Sequence, residues 1–317
     1  MARYIAWRAA LVPLSLLLAS ALVFLALMAL PGDVVHVIAG DAPATPRIQE
    51  ALREELGLDR PLYEQYRRWL LSVVSGEPGG RSLETREPVR SIIARQLPTT
   101  LLLAIYTVVL SMLVSFPLGV MAAVRRNRWP DYLVRLLTLA SMAMPDLLVA
   151  LFILLGLLLV FQWSPPIIYA APWTDPWRHA LIMVWPAVIL SWEYSAHIIR
   201  VTRAGMISAF SQTFITSARA KGLTERNVVL RHALRNAMVP SLTVFGLQFG
   251  RLLSGALVLE TVFGLPGIGR GLVQAGLARD YPVVLALASL LVFISLIVSL
   301  VVDVLYAYFD PRISHTA

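Results

Sequence analysis

Long apolar runs separated by short polar stretches dominate the chain. Six runs, at residues 9–30, 99–124, 133–162, 180–199, 240–262 and 283–309, are each long and apolar enough to cross a hydrocarbon core of about 30 Å. The pattern predicts an all-α membrane protein with six spanning helices. Between the first two runs, Ile48, Leu52 and Leu56 recur at helical spacing, and Leu62, Tyr66, Trp69, Leu70 and Val73 do so again. Two short amphipathic helices are expected there, followed by a Gly-, Ser- and Pro-rich turn at residues 75–86. The expected division is a first span at 1–31, a loop at 32–98, a core of five spans at 99–309 and a tail at 310–317.

Composition agrees: 58% of the 317 residues are hydrophobic and 15% charged, and the mean hydropathy is +0.72. A soluble domain carries a charged share closer to a quarter. Arg3 and Arg8 precede a first run that is too long for a secretory signal's apolar region, so it reads as an uncleaved span. The net charge of +8 does not point to nucleic acid, because the basic residues lie beside the apolar runs rather than in one patch. Arginines crowd the N-terminus, the second loop (Arg125, Arg126, Arg128) and the fourth loop. The positive-inside rule places these regions, and with an even span count both termini, in the cytoplasm. The first loop is arginine-rich too, but it is long and interspersed with acids such as Glu54 and Asp59, so it is assigned outside.

The fourth loop, residues 211–240, is polar yet patterned. Met206, Phe210 and Phe214 repeat at i, i+4, and Ala218, Ala220 and Gly222 keep the next turn small. Thr224 suits an N-cap and Glu225 the first turn of a following helix, giving helix, glycine turn, helix. Residues 260–271 mix glycines with Pro266 and cannot be one regular helix throughout; they read as an external re-entrant or gate-like turn comprising Glu260, Phe263, Gly264, Pro266, Gly267 and Gly269.

Chemistry-bearing patterns are few. Cysteine is absent, which excludes disulfides and thiolate sites. The one lysine, Lys221, stands outside any phosphate-binding Gly-rich loop, and the five histidines show no metal-ligand spacing, so neither a nucleotide, a metal nor another cofactor is expected on this chain. Glu193 and His197 share a face of the fourth span, and Asp146 follows the helix-bending Pro145. Ionisable groups inside a bilayer face a cavity or a partner, so these three are candidates to line a transport path, with Asp303 a weaker one. An intramembrane hydrolase built on Ser191, Glu193 and His197 lacks a supporting nucleophile motif. A solitary channel or secondary transporter would not need the patterned fourth loop.

That loop, Thr216-Ser217-Ala218-Arg219-Ala220-Lys221-Gly222-Leu223 followed by Leu230-Arg231-His232-Ala233-Leu234-Arg235-Asn236-Ala237 and Pro240, resembles the cytoplasmic coupling motif of type I ABC-importer permeases, in particular the dipeptide, oligopeptide and nickel branch. Leu30-Pro31-Gly32-Asp33, Gln96-Leu97-Pro98-Thr99, Arg200-Val201-Thr202-Arg203, Glu260-Thr261-Val262-Phe263-Gly264-Leu265-Pro266-Gly267-Ile268-Gly269, Arg279-Asp280-Tyr281-Pro282 and Asp310-Pro311-Arg312 extend the resemblance along nearly the whole chain. Thr216-Ser217-Ala218 replaces the Glu-Ala-Ala of the general motif, and the gap from Gly222 to Pro240 is longer, as in the peptide branch.

The resemblance implies a non-enzymatic permease subunit in a bacterial or archaeal cytoplasmic (inner) membrane, importing peptides, or alternatively nickel or oligosaccharides, by alternating access. It further implies a second homologous permease, two ABC ATPases that use ATP and Mg, and an extracytoplasmic substrate-binding protein. The segment from Phe214 through Thr216, Ser217, Ala218, Arg219, Ala220, Lys221 and Gly222 to Leu223 would then dock on the ATPase.

Overall fold

A computed structural model describes residues 2–29, 50, 59–166 and 168–309, with backbone alone at 2–9 and 305–309. Every regular element among them is helical: α1 Ala2–Ala29, α2 Leu62–Val74, α3 Val89–Val124, α4 Trp129–Ala143, α5 Asp146–Phe161, α6 Pro176–Phe210, α7 Thr213–Ala220, α8 Glu225–Asn227, α9 Leu234–Val262, α10 Ile268–Leu277 and α11 Tyr281–Phe309. A π-helical stretch, Val228–Ala233, joins α8 to α9. Five helical runs are long and apolar enough to span a membrane, or six if the bent pair α4–α5 counts as one.

That pair corrects the single third span expected at 133–162. The chain bends by 103° between α4 and α5. Pro145 has no N–H to continue the ladder and forces the residue before it out of the α region, so Met144 lies at φ −103°, ψ 123°. The two arms have 15 and 16 residues, each roughly 22–24 Å long at 1.5 Å per residue and too short to cross alone. The second correction concerns Pro240, which lies inside α9 instead of ending the fourth loop, so the helical run from Glu225 to Val262 is continuous through the π turn. Amphipathic α2 lies where Leu62 to Val73 predicted it. The expected helix through Ile48, Leu52 and Leu56, the proposed termini and the Asp310-Pro311-Arg312 motif lie outside the described residues.

Contacts divide the chain into two units. The first is built mainly on residues 101–265, and its most extensive interface joins α6 to α9. Close approach there needs small residues: a Cβ at Gly205 would meet Ala237 at 3.1 Å, and Thr202 Oγ1 lies 2.9 Å from Ser241 Oγ. Tyr194 donates from its hydroxyl to the Phe245 carbonyl at 2.5 Å, and Ser115 bonds the Ser195 carbonyl at 3.3 Å, so polar groups within the spans find partners between helices. His179 is a buried structural residue, 3.0 Å from the Tyr106 hydroxyl and 2.9 Å from the Ala170 carbonyl.

The second unit holds residues 10–100 and 266–294. Its core gathers Phe24 and Leu27 of α1, Val89 and Ile92 of α3, Ile268 and Ala275 of α10, and Val283, Val284 and Leu287 of α11. The Asp280 carboxylate accepts from the Ser82 hydroxyl and, at 3.1 Å, from the Leu83 amide, tying the turn before α3 to the start of α11.

Candidate functional site

The fourth-loop prediction becomes a compact helical elbow. Helix α7 buries Ile215 and Ala218 against Met206 and Ala209 of α6, Ala123 of α3, and Val228, Ala233 and Ala237 beyond the turn. Its C-terminus is closed by paired backbone bonds, Leu223 N–H to Ala218 O at 3.3 Å and Gly222 N–H to Arg219 O at 2.9 Å, with Gly222 at φ +74°. This is the Schellman arrangement, and its left-handed residue carries no steric penalty when it is glycine. Arg219 then reaches across the turn to Glu225 with bonds of 2.7 and 3.3 Å. Glu225 beside it pushes the Arg219 guanidinium above its ordinary value. Thr224 occupies the N-cap position as expected, without a side-chain capping bond.

Of the nine coupling candidates, Phe214, Thr216, Ser217, Arg219, Ala220, Lys221, Gly222 and Leu223 are exposed, whereas Ala218 is turned into the chain's own core and is not available to a partner. Phe214 is 38% exposed at the front of this otherwise polar helix. Its ring stays partly open to water beside the face that Ile215 and Ala218 lock, and aromatic residues are enriched at contact surfaces.

Beneath the elbow lies a lock that the apolar pattern did not reveal. Asp131, fully buried near the start of α4, receives Arg203 Nε at 2.6 Å and Nη2 at 2.7 Å. The same carboxylate accepts the Asn127 N–H at 2.9 Å, and Asn127 sits at φ 60°. The α3–α4 turn is thereby pinned to α6 within three turns of its end. Arg203 was visible as part of a motif; Asp131 could have been found only as an acid three residues into a Trp-Pro helix start.

The path candidates Asp146 and Glu193 come together. The bend at Pro145 puts Asp146 in the first turn of α5, where its carboxyl reaches that of Glu193 and lies against Gly255 of α9; a Cβ there would approach Asp146 Oδ2 to 2.7 Å. His197 sits one turn along α6 from Glu193, within electrostatic reach of Glu193, Arg200 and Arg251. Most of α6 in this region is buried, but beside the apolar exposed stripe of Val184, Val188 and Trp192 a second stripe is open: Glu193 and His197 in part, then Arg200, Ala204 and Ser208. A lipid-facing stripe would be apolar; this one is not. The adjoining open stripe of α9 carries Pro240, Leu247, Arg251 and Ser254. Arg251 was missed, although an arginine interrupting an apolar span was a usable signal.

The region read as a gate-like turn is better packed than a surface loop. Glu260 belongs to the last turn of α9 and is fully buried. Phe263 is buried with Leu265 in the core formed by Ile182, Met183 and Leu259. Gly264, at φ +69°, closes α9 with a second Schellman pair, Leu265 N–H to Glu260 O at 2.8 Å and Gly264 N–H to Thr261 O at 3.4 Å. Pro266 and Gly267 complete the turn, and Gly269 is already inside α10.

A polytopic helical membrane protein with a rigid polar elbow between two spans and charged stripes along neighbouring helices has the parts of a transport-system membrane component. The sequence matches the family described as binding-protein-dependent transport system inner membrane component over residues 115–315, and the corresponding N-terminal family over residues 1–104. The chain belongs to that family: it is a multi-pass inner-membrane permease subunit. It is 38% identical over 301 residues, 95% of both chains, to the glutathione transport system permease protein GsiC of Escherichia coli (strain K12). The same identity and coverage hold for GsiC of Shigella flexneri serotype 5b (strain 8401) and of Shigella boydii serotype 4 (strain Sb227).

Proposed function

We propose that this subunit forms half of the pore of an ATP-driven importer for short peptides of the glutathione type. A second permease of similar fold, in a heterodimer, would complete the pore, with two ATPases holding ATP and Mg on the cytoplasmic side and a substrate-binding protein outside. Both termini and the elbow face the cytoplasm on this reading, and residues 32–98 face outward. The observation that carries the mechanism is the exposed Phe214 on α7, a helix fixed to α3, α6 and the start of the α9 run through Ile215 and Ala218. A force applied to α7 reaches the spans through packed side chains, as alternating access requires. The permease itself performs no bond chemistry; the named substrate of its relatives supports a peptide cargo. Glu193, His197 and Asp146 line the route, and the turn at residues 263–267 belongs to its outer end.

Coexpression with the candidate ATPases and purification in detergent test the elbow's role. Phe214→Asp is expected to abolish copurification or to uncouple binding-protein-stimulated ATP hydrolysis while the subunit elutes normally. Unchanged association and stimulated hydrolysis would move the coupling surface elsewhere. Ala218 is the wrong probe, since enlarging it damages the subunit's own core.

A further inference from the structure

A cavity of about 830 Å³ lies between α4, α6 and α9, lined by Arg135 and Thr138 of α4, His197, Arg200 and Arg203 of α6, and Pro240 of α9 among others. It contains no lining carboxylate. The three arginines differ in how they are satisfied. Arg203 is neutralised by Asp131. Arg200 is exposed, and the acceptor it finds is the Met142 sulfur at 3.0 Å, a weak one. Arg135 is also exposed and lies over the Tyr132 ring at 6.0 Å, a cation–π contact that leaves its fork of donors open. Neither Arg135 nor Arg200 forms an ion pair with a carboxylate among the described residues; Asp131, one turn back along α4, lies within electrostatic reach of Arg135 but accepts its side-chain bonds from Arg203.

Helix α6 has 35 residues, roughly 52 Å at 1.5 Å per residue, so one end projects well past a hydrocarbon core of about 30 Å. Arg200 and Arg203 fall in its last eleven residues. The cavity thus continues the open stripe that begins with Glu193 and His197 toward the end that carries the elbow. Planar guanidinium forks in a partly enclosed groove recognise carboxylates with two parallel bonds, and a groove of one sign concentrates the opposite charge.

We propose that Arg135 and Arg200 form a carboxylate-receiving station on the transport route, through which the importer favours cargo with a net negative charge. This rests on the permease reading above. Glu193, earlier along α6, and Asp146, at the start of α5 beside it, give the route an acidic segment before the basic one, so a peptide carrying both an ammonium and carboxylates meets complementary groups in sequence.

The test uses the assembled transporter in proteoliposomes with ATP enclosed and binding protein outside, and compares uptake of Ala-Glu-Ala with that of Ala-Gln-Ala. The pair is matched in shape and differs by one carboxylate. In the Arg135→Gln, Arg200→Gln double variant, the ratio of anionic to neutral uptake is expected to fall by about tenfold. Arg135→Lys, Arg200→Lys should retain part of the preference, because charge is kept and the bidentate fork lost. An equal fall for both peptides would make the arginines structural and overturn the proposal, as would an unchanged ratio. Repeating the comparison in vesicles of phosphatidylcholine alone and with added phosphatidylglycerol separates the anion's source: a loss that tracks the lipid, whichever peptide is used, assigns the groove to a lipid phosphate and overturns the cargo station. Absence of ATP-dependent uptake of either peptide by the wild-type complex would refute the permease-for-peptides reading itself, an outcome distinct from a lost preference.

Discussion

Removing Asp131 is the sharpest probe of how the elbow is anchored. Its carboxylate is wholly buried and accepts three bonds: 2.6 and 2.7 Å from Arg203 and 2.9 Å from the Asn127 amide. Asp131→Ala takes away both charge-assisted bonds and leaves the Arg203 guanidinium, only 20% exposed, without its counter-ion. Breaking one side of a buried pair costs about 3–5 kcal/mol, most of it the penalty of the stranded charge. The Asn127 bond holds a non-glycine residue at positive φ and adds about 1 kcal/mol to the loss. At roughly 2–4 °C per kcal/mol for larger domains, the unfolding midpoint falls by on the order of 10 °C. Arg203→Ala strands the carboxylate instead and should cost a similar amount. The double variant leaves no orphan charge, so its loss should be smaller than the sum by about 2 kcal/mol or more. Thermal unfolding of the purified subunit in detergent, followed by tryptophan fluorescence, measures all three. Additive losses, or single variants within a degree of wild type, would refute the claim that this pair couples the α3–α4 turn to α6.

Further measurements probe the elbow and the second unit. Gly222→Val is expected to destabilise the elbow by about 1–2 kcal/mol through the left-handed backbone alone, because a Cβ at this position meets nothing within 4 Å; Gly222→Asn should recover much of it, as read by amide exchange along α7. Gly205→Leu should force α6 from α9, where Ala237 is already 3.1 Å from an added Cβ, at a cost of about 1–3 kcal/mol or more in thermal unfolding. Glu87 accepts bonds from Arg95 at 2.9 and 3.1 Å and from Ser91 at 3.0 Å, and these hold its carboxyl below the ordinary value. Its contribution is therefore present above the unfolded carboxyl's pKa and is lost as pH falls through the lowered one. Amide exchange in the turn at residues 81–88, corrected for intrinsic rates, should accelerate on acidification, and Glu87→Gln should remove that acid-side step.

Local pattern carried much of this protein. A bilayer demands that backbone groups be satisfied within each crossing segment, so apolar length alone located α11 and the end of α1 within two residues, while α1 begins seven residues before the apolar run. Glycine and proline punctuation marked the turn at Gly222 and the break at residues 263–267, since a left-handed position and a missing N–H are properties of single residues. The same reasoning put a bend at Pro145 but not its size: apolar composition runs unbroken from α4 into α5, and a 103° turn changes no residue's hydropathy. Nor did Pro240 stop a helix, because α9 continues through it with the preceding π turn.

What the sequence determined by itself was the class of protein, the helices and the elbow, all encoded over a few neighbouring residues. Only the tertiary structure decided which side chains meet. It turned Ala218 inward while leaving Phe214 exposed, joined Asp131 to Arg203 across 72 positions, brought Asp146 to Glu193, and left Arg135 and Arg200 without a directly bonded carboxylate. Those pairings depend on helix rotation and crossing, which are set by packing at contacts such as Gly205 against Ala237 and by the bend at Pro145, and neither leaves a periodic trace in the chain.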